Sequence, residues 1–319
     1  MLLLPQRNFS IAFRHNGAIR LQLYTGGYEI THVAYPVFLP LLQVWIYEWL
    51  AHVDQSMIKL LGPYLYLAAV LLLISSAKLV TNSLWVAIIA VLLFGLVPAY
   101  MLGDGSVSSG YADFPLAVVW LCALVHSVEY WRTGTLSAAR LTGISAMFLP
   151  FVKNDGVIAL LCIGLTVMPK AVRERNWKAA AWMIIPGFGV LFGWRIFTKL
   201  SHVVQGDLLP FTLANLLAHL NRTGNLVCLT IQELLTRNQW GILWPTTLVA
   251  GAFLVGRKRT ATWYPLVVNA VLPCYCTPVC SFSALGLLSR NTPGLLFHGC
   301  LFVMRRLPFC WCLWRVELF

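Results

Sequence analysis

Residues 60–77 and 84–102 run without a single Asp, Glu, Lys, Arg or His. Each is close to the ~20 residues that a helix needs to cross ~30 Å of hydrocarbon. Runs of this kind constrain the chain more than any other feature. In lipid no water is present to satisfy the backbone, so each crossing segment must bond its own N–H and C=O groups, as a helix does. Further apolar stretches follow at 114–130, 141–152, 156–169, 179–194, 240–256 and 263–273. Composition agrees: 59% of residues are hydrophobic and 11% charged, with a mean hydropathy of +0.75. A globular domain carries about 25% charged residues. The sequence therefore predicts an all-α fold, a polytopic bundle of transmembrane helices.

Orientation follows from where the cations gather, because cytoplasmic loops collect Lys and Arg. Lys78, Arg132, Arg140, the run 170–178 and the triplet 257–259 are placed in the cytoplasm. Alternation then puts 103–113 and 201–238 outside. Residues 153–155 fall outside as well, at the tip of a tight hairpin of 141–152 and 156–169. The stretch 33–51 carries Pro36, Pro40, Gln43 and Glu48 and reads as an outer-face juxtamembrane helix. Segment 201–238 mixes Leu pairs with His219, Arg222, Glu233 and Arg237, which suits helices lying in the interface plane. The net charge of +12 reflects these loop cations and not a nucleic-acid surface, since no basic patch carries interleaved aromatics.

Three regions result: 1–59, a partial outer loop with the juxtamembrane helix; 60–273, the bundle; and 274–319, a tail. The apolar run Leu2-Leu3-Leu4 is too short for a signal peptide or a span. Six of the nine cysteines crowd the tail, at 274, 276, 280, 300, 310 and 312. Their spacing fits no paired zinc pattern, so neither metal nor cofactor is expected. An out-of-frame or degraded terminus accounts for the tail.

Two polar phrases interrupt the apolar chain: Gly110-Tyr111-Ala112-Asp113-Phe114-Pro115-Leu116 and Lys153-Asn154-Asp155-Gly156. An acid just before Pro in a first helical turn is also an ordinary start favoured by the helix dipole. A solvated turn has the composition of the second phrase. What raises both is placement, since ionisable groups at membrane depth are costly and mark function. Asp113, helped by Asp104 and Tyr111, reads as a carboxylate orienting a polar substrate. Lys153 reads as a point charge for a phosphate. The two are expected to meet in one outward-facing cavity. Upstream, Glu29 and His32 precede Tyr35-Pro36-Val37-Phe38-Leu39-Pro40, which places His32 and Tyr35 near the outer surface. His126, inside the third span, reads as a satisfied bundle histidine.

Taken in order, the three phrases resemble those of bacterial polytopic glycosyltransferases of the GT-C class, which includes the aminoarabinose and protein O-mannosyl transferases. The likeness runs from about residue 18 to about residue 269. Pro36-Val37 stands where the family has a double proline, and Asp155 where Glu is commoner. The resemblance implies transfer of a sugar from a polyprenyl-phosphate donor to a glycan, lipid or protein acceptor. The reaction would occur at the outer face of the bacterial inner membrane. It further implies Lys153 at the lipid phosphate, Asp113 positioning sugar or acceptor, and His32, Tyr35, Tyr111 and Asp155 lining the site. The family's catalytic base is an outer-loop acid after a first span. Residues 1–30 contain neither, and their single acid is Glu29. An inactive fragment is therefore expected, with Glu29 as the one substitute base. The alternative is a non-enzymatic flippase or transporter that passes a lipid-linked sugar head.

Overall fold

The computed structural model describes residues 35–98, 100, 106–107 and 110–201. These residues are helical, with no strand among them. In chain order the helices are α1 (Phe38–Leu50), α2 (Gln55–Ile58), α3 (Leu61–Thr81), α4 (Leu84–Gly95) and α5 (Asp113–Thr133). Then come α6 (Leu136–Met147), α7 (Leu149–Val152), α8 (Gly156–Arg173) and α9 (Trp177–Leu200). Four stretches are long and apolar enough to cross a membrane: Ser56–Lys78, Asp113–Thr133, Gly156–Arg173 and Trp177–Leu200. At 1.5 Å per residue, 18 to 24 residues reach about 27–36 Å, the depth of a hydrocarbon core.

Burial is distributed as lipid demands. Leu67, Leu71, Ile88, Leu92, Ile185 and Ile196 face outward, while the interior is built from small residues. One buried cluster holds Ala138, Ala139, Ala171, Ala179 and Ala180 with Tyr130, Val167 and Met183. Small side chains let helices approach closely, the packing that holds apolar helices together where lipid competes for every Leu. Gly143 shows how close: a Cβ there would overlap the Trp182 carbonyl, so α6 and α9 touch backbone to backbone.

Helices α5 and α8 are parallel neighbours, α6 and α9 return beside them, and α3 packs on α5. Tyr66 of α3 stacks with Phe94 and Phe114 at 5.3 and 6.4 Å, which places the first half of α3 beside the start of α5. The bundle therefore has two chemically distinct ends. Asp113 and Lys153 lie at one. Lys78, Arg132, Arg173 and Lys178 lie at the other, so the cations that alternate in sequence share an end in space.

Three sequence expectations shift. Within the span predicted at 84–102, α4 covers Leu84 to Gly95, about 18 Å and too short to cross by itself, and a turn at Leu96 and Val97 ends it before Pro98. Gly95 weakens the helix, and Pro98 lacks the N–H that would continue it. The Leu96 and Val97 amides instead close tight turns on Leu93 and Phe94. Conversely, Pro169 does not end its helix: α8 runs through it to Arg173 and reaches spanning length. The predicted hairpin of 141–152 and 156–169 forms, but its first arm starts earlier, at Leu136, and breaks at Phe148 into α6 and α7. Predicted helix 33–51 contains α1. Its exposed edge carries Leu41, Trp45 and Trp49, and its inner edge Leu39, Gln43 and Tyr47. The spans at 240–256 and 263–273, the segment 202–238 and the tail lie outside the described residues.

Candidate functional site

The start of α8 is built by sterics. Helix α7 ends at Val152, and Lys153 adopts an extended backbone (φ −155°, ψ 152°) that turns the chain away. A three-residue turn follows, with the Gly156 amide donating to the Lys153 carbonyl at 2.9 Å. Gly156 then begins α8 against the Leu149 carbonyl, where a Cβ would collide with backbone. Only glycine lets α8 start that close to α7. Asp155 occupies the N-cap position of α8, yet its side chain makes no cap bond. It faces Lys153 instead.

Lys153 Nζ donates to Asp113 Oδ1 at 2.6 Å and lies 3.1 Å from Asp155 Oδ2. One ammonium thus joins the first turn of α5 to the turn before α8, forty positions apart in sequence. The lysine side chain is 17% exposed, while the Asp113 and Asp155 side chains keep 48% and 46%. Burial alone would lower the lysine pKa. The Asp113 carboxylate, and then that of Asp155, outweigh it and hold the ammonium well above the ordinary lysine range. Lys153 is therefore a permanent cation at physiological pH and cannot serve as a base. Two carboxylates against one ammonium leave the cluster with one net negative charge. Among the described residues two carboxylates engage the ammonium, and these half-exposed groups retain acceptor sites for hydroxyl donors.

The structure thus brings Asp113, Lys153 and Asp155 together directly, as an ion cluster rather than as separated walls of a cavity. Tyr111 sits on the approach to α5, two residues before Asp113, and is 53% exposed. Tyr35 lies half-buried in the bend before α1. The rings of Phe38 with Phe148 and Phe151, at 5.6 and 5.9 Å, set the start of α1 against α7 and so near the turn bearing Lys153. Glu29, His32 and Asp104 lie outside the described residues. His126 has its partner: its Nδ1 lies 3.2 Å from Glu129 Oε2, and Cys122 Sγ lies 3.3 Å from Ser145 Oγ across the α5–α6 contact. Among the described residues no group of three or more His, Cys, Asp or Glu side chains could hold a metal ion.

Sequence reasoning placed Lys170 in a basic cytoplasmic loop, and the structure instead puts it inside α8. Lys170 is 6% exposed, in the last turn of α8. Its Nζ donates to the Tyr130 carbonyl at 2.9 Å and the Trp131 carbonyl at 2.7 Å, over the Tyr130 ring and 3.6 Å from Glu174 Oε1. A cation at the last carbonyls of a helix adds to their hydrogen bonding, here beside the Gly134 amide that also donates to Tyr130, and meets the helix dipole. Trp131 Nε1 adds a bond to the Thr166 carbonyl at 2.7 Å. The available signal was Glu174, the single acid within the basic run 170–178, one helical turn beyond Lys170. Compared with protein-family models, curated proteins and solved structures, the chain shows no significant match to any of them.

Proposed function

We propose that this chain is a multi-pass protein of the bacterial inner membrane that handles a polyprenyl-phosphate-linked sugar, as a GT-C-type glycosyltransferase does. The observation that carries this reading is the meeting of Asp113, Lys153 and Asp155, from two different helix starts, at one end of the bundle. Charges that cost this much at membrane depth mark a working site. The half-exposed carboxylates accept hydroxyl groups of the sugar or acceptor. Lys153, held in place by both acids before the donor arrives, offers its third N–H to a phosphate oxygen. In transfer, that cation stabilises the phosphate as it departs.

Binding of a polyprenyl-phosphate analogue to the purified full chain tests the reading. A hydrogen bond to a charged group contributes about 1.5–3 kcal/mol, so Lys153→Met should weaken binding about tenfold or more. Lys153→Arg should lose less. Wild-type affinity in Lys153→Met would remove Lys153 from the site.

A second reading, a flippase or transporter for the same lipid head, draws on the interruption of the apolar stretch 141–169 at Lys153, whose extended backbone separates α7 from α8, since interrupted helices mark transport sites. Proteoliposomes separate the two. Appearance of the sugar joined to an acceptor hydroxyl together with released polyprenyl phosphate supports transfer, and passage of the intact lipid-linked sugar across the bilayer supports transport.

A further inference from the structure

At the end of the bundle opposite the acid–lysine cluster, α6 and α9 start side by side and run in the same direction. Their contact is the close backbone crossing at Gly143 and Trp182. On the outer surface of that crossing the Arg140 guanidinium lies 5.3 Å from the centre of the Trp182 ring. Lys178 stands one turn before Trp182 on α9 and is exposed. One turn deeper, Ile144 on α6 and Ile185 on α9 are 45% and 65% exposed. Neither Arg140 nor Lys178 forms an ion pair among the described residues. The seam thus runs from charge at its mouth to bare apolar side chains further in.

We propose that this seam is a binding site for an anionic phospholipid. Its phosphate meets Arg140 and Lys178, and an acyl chain lies along Ile144 and Ile185. The order of the side chains, cation outermost and hydrocarbon within, is the order of a lipid from head to tail. Charge complementarity selects an anionic lipid over a zwitterionic one. Basic pockets between membrane helices recognise such headgroups. Stacking on Trp182 holds the guanidinium flat, and its planar fork then presents paired donors to phosphate oxygens. A flexible lysine at the same position would offer only a point charge. The proposal rests on the membrane reading alone and is independent of sugar transfer.

The full chain in nanodiscs of mixed phosphatidylcholine and phosphatidylglycerol gives the test, with co-purifying lipid counted by native mass spectrometry. Phosphatidylglycerol should be enriched on the wild type. Each cation near a membrane surface contributes about 1 kcal/mol, so Arg140→Gln should cut the enrichment about fivefold. Arg140→Gln combined with Lys178→Gln should abolish it. Arg132→Gln, which removes an exposed cation from the same end but off the seam, should leave the enrichment intact and so controls for overall charge. Undiminished enrichment in the double variant would overturn the proposal. So would displacement of the lipid by inorganic phosphate alone, because the acyl contacts would then contribute nothing.

Discussion

Lys153 just before α8 and Lys170 in its last turn each tie that helix to α5, yet they do different work. Lys170 is sealed: 6% exposed, bonded to two backbone carbonyls, covered by a tyrosine ring and neutralised by Glu174. Among the described residues its partners are two backbone carbonyls at 2.7–2.9 Å and, farther off at 3.6 Å, the Glu174 carboxylate. Lys153 is sheltered too, but both its partners are carboxylates that keep nearly half of their surface open. Burial of the lysine therefore does not separate a brace from a site. The kind of partner does, because backbone carbonyls at a helix end are fixed in place, whereas the two carboxylates bonded to Lys153 can exchange a partner for a substrate.

The largest effect that would break this contrast comes from Lys170→Met. It keeps the side-chain volume but removes the buried ammonium that donates to the Tyr130 and Trp131 carbonyls, the first of which still accepts the Gly134 amide at 2.8 Å. A buried polar group left unpaired costs about 1–3 kcal/mol, and removing one member of a buried charged set about 3–5 kcal/mol. We expect the unfolding free energy, followed by denaturant titration in detergent, to fall by about 3 kcal/mol. Lys153→Met should cost about 1 kcal/mol or less by the same measurement, because solvent screens its half-exposed partners. Equal losses in the two variants would erase the distinction.

Gly156→Ala comes next. Its methyl would press on the Leu149 carbonyl, a backbone atom that cannot swing away. Overpacking of this kind costs about 1–3 kcal/mol, and it also shifts the turn that carries Lys153 and Asp155. Stability and analogue binding should fall together in Gly156→Ala, whereas Lys153→Met separates them. Unchanged binding in Gly156→Ala would show that the site tolerates movement of that turn.

The smallest effect is a pH dependence, and its sign follows from the direction of the lysine shift. The folded-state pKa of Lys153 is raised above its unfolded value by the two carboxylates. The stability it contributes is therefore fully present below the ordinary lysine pKa of about 10.4 and is lost only as pH rises through the raised value. The difference in unfolding free energy between wild type and Lys153→Gln should stay flat from about pH 6 to 9. A difference that shrinks within that window would mean the lysine titrates there and is not held as a cation.

Much of this was legible from the order of residues. Helices near 60–77, 114–130 and 179–194 follow from apolar runs of spanning length, because the cost of an unpaired backbone in lipid leaves helix as the one local solution. The placement of Asp113 and Lys153 at one end followed from counting turns. Breaks were read less well. Gly95 ends α4 inside the second run, while Pro169 sat harmlessly near a last turn that Lys170 anchors to α5. Local propensity cannot say which proline a neighbouring helix will rescue.

Contacts between distant segments were decided only by packing. The hydrogen bond from Lys153 to Asp113, the burial of Lys170 on the end of α5, and the stacking of Arg140 on Trp182 each join residues on different helices. Sequence determined that this chain would be helical and apolar on its outside, since hydrogen bonding and hydrophobicity act residue by residue. Which cation became a brace, which stayed near a site and which lay on the surface depended on how α5, α6, α8 and α9 fit together. That fit is set by small residues such as Gly143 and Gly156, whose role is the absence of a side chain, and an absence has no meaning until the neighbour that fills the space is known.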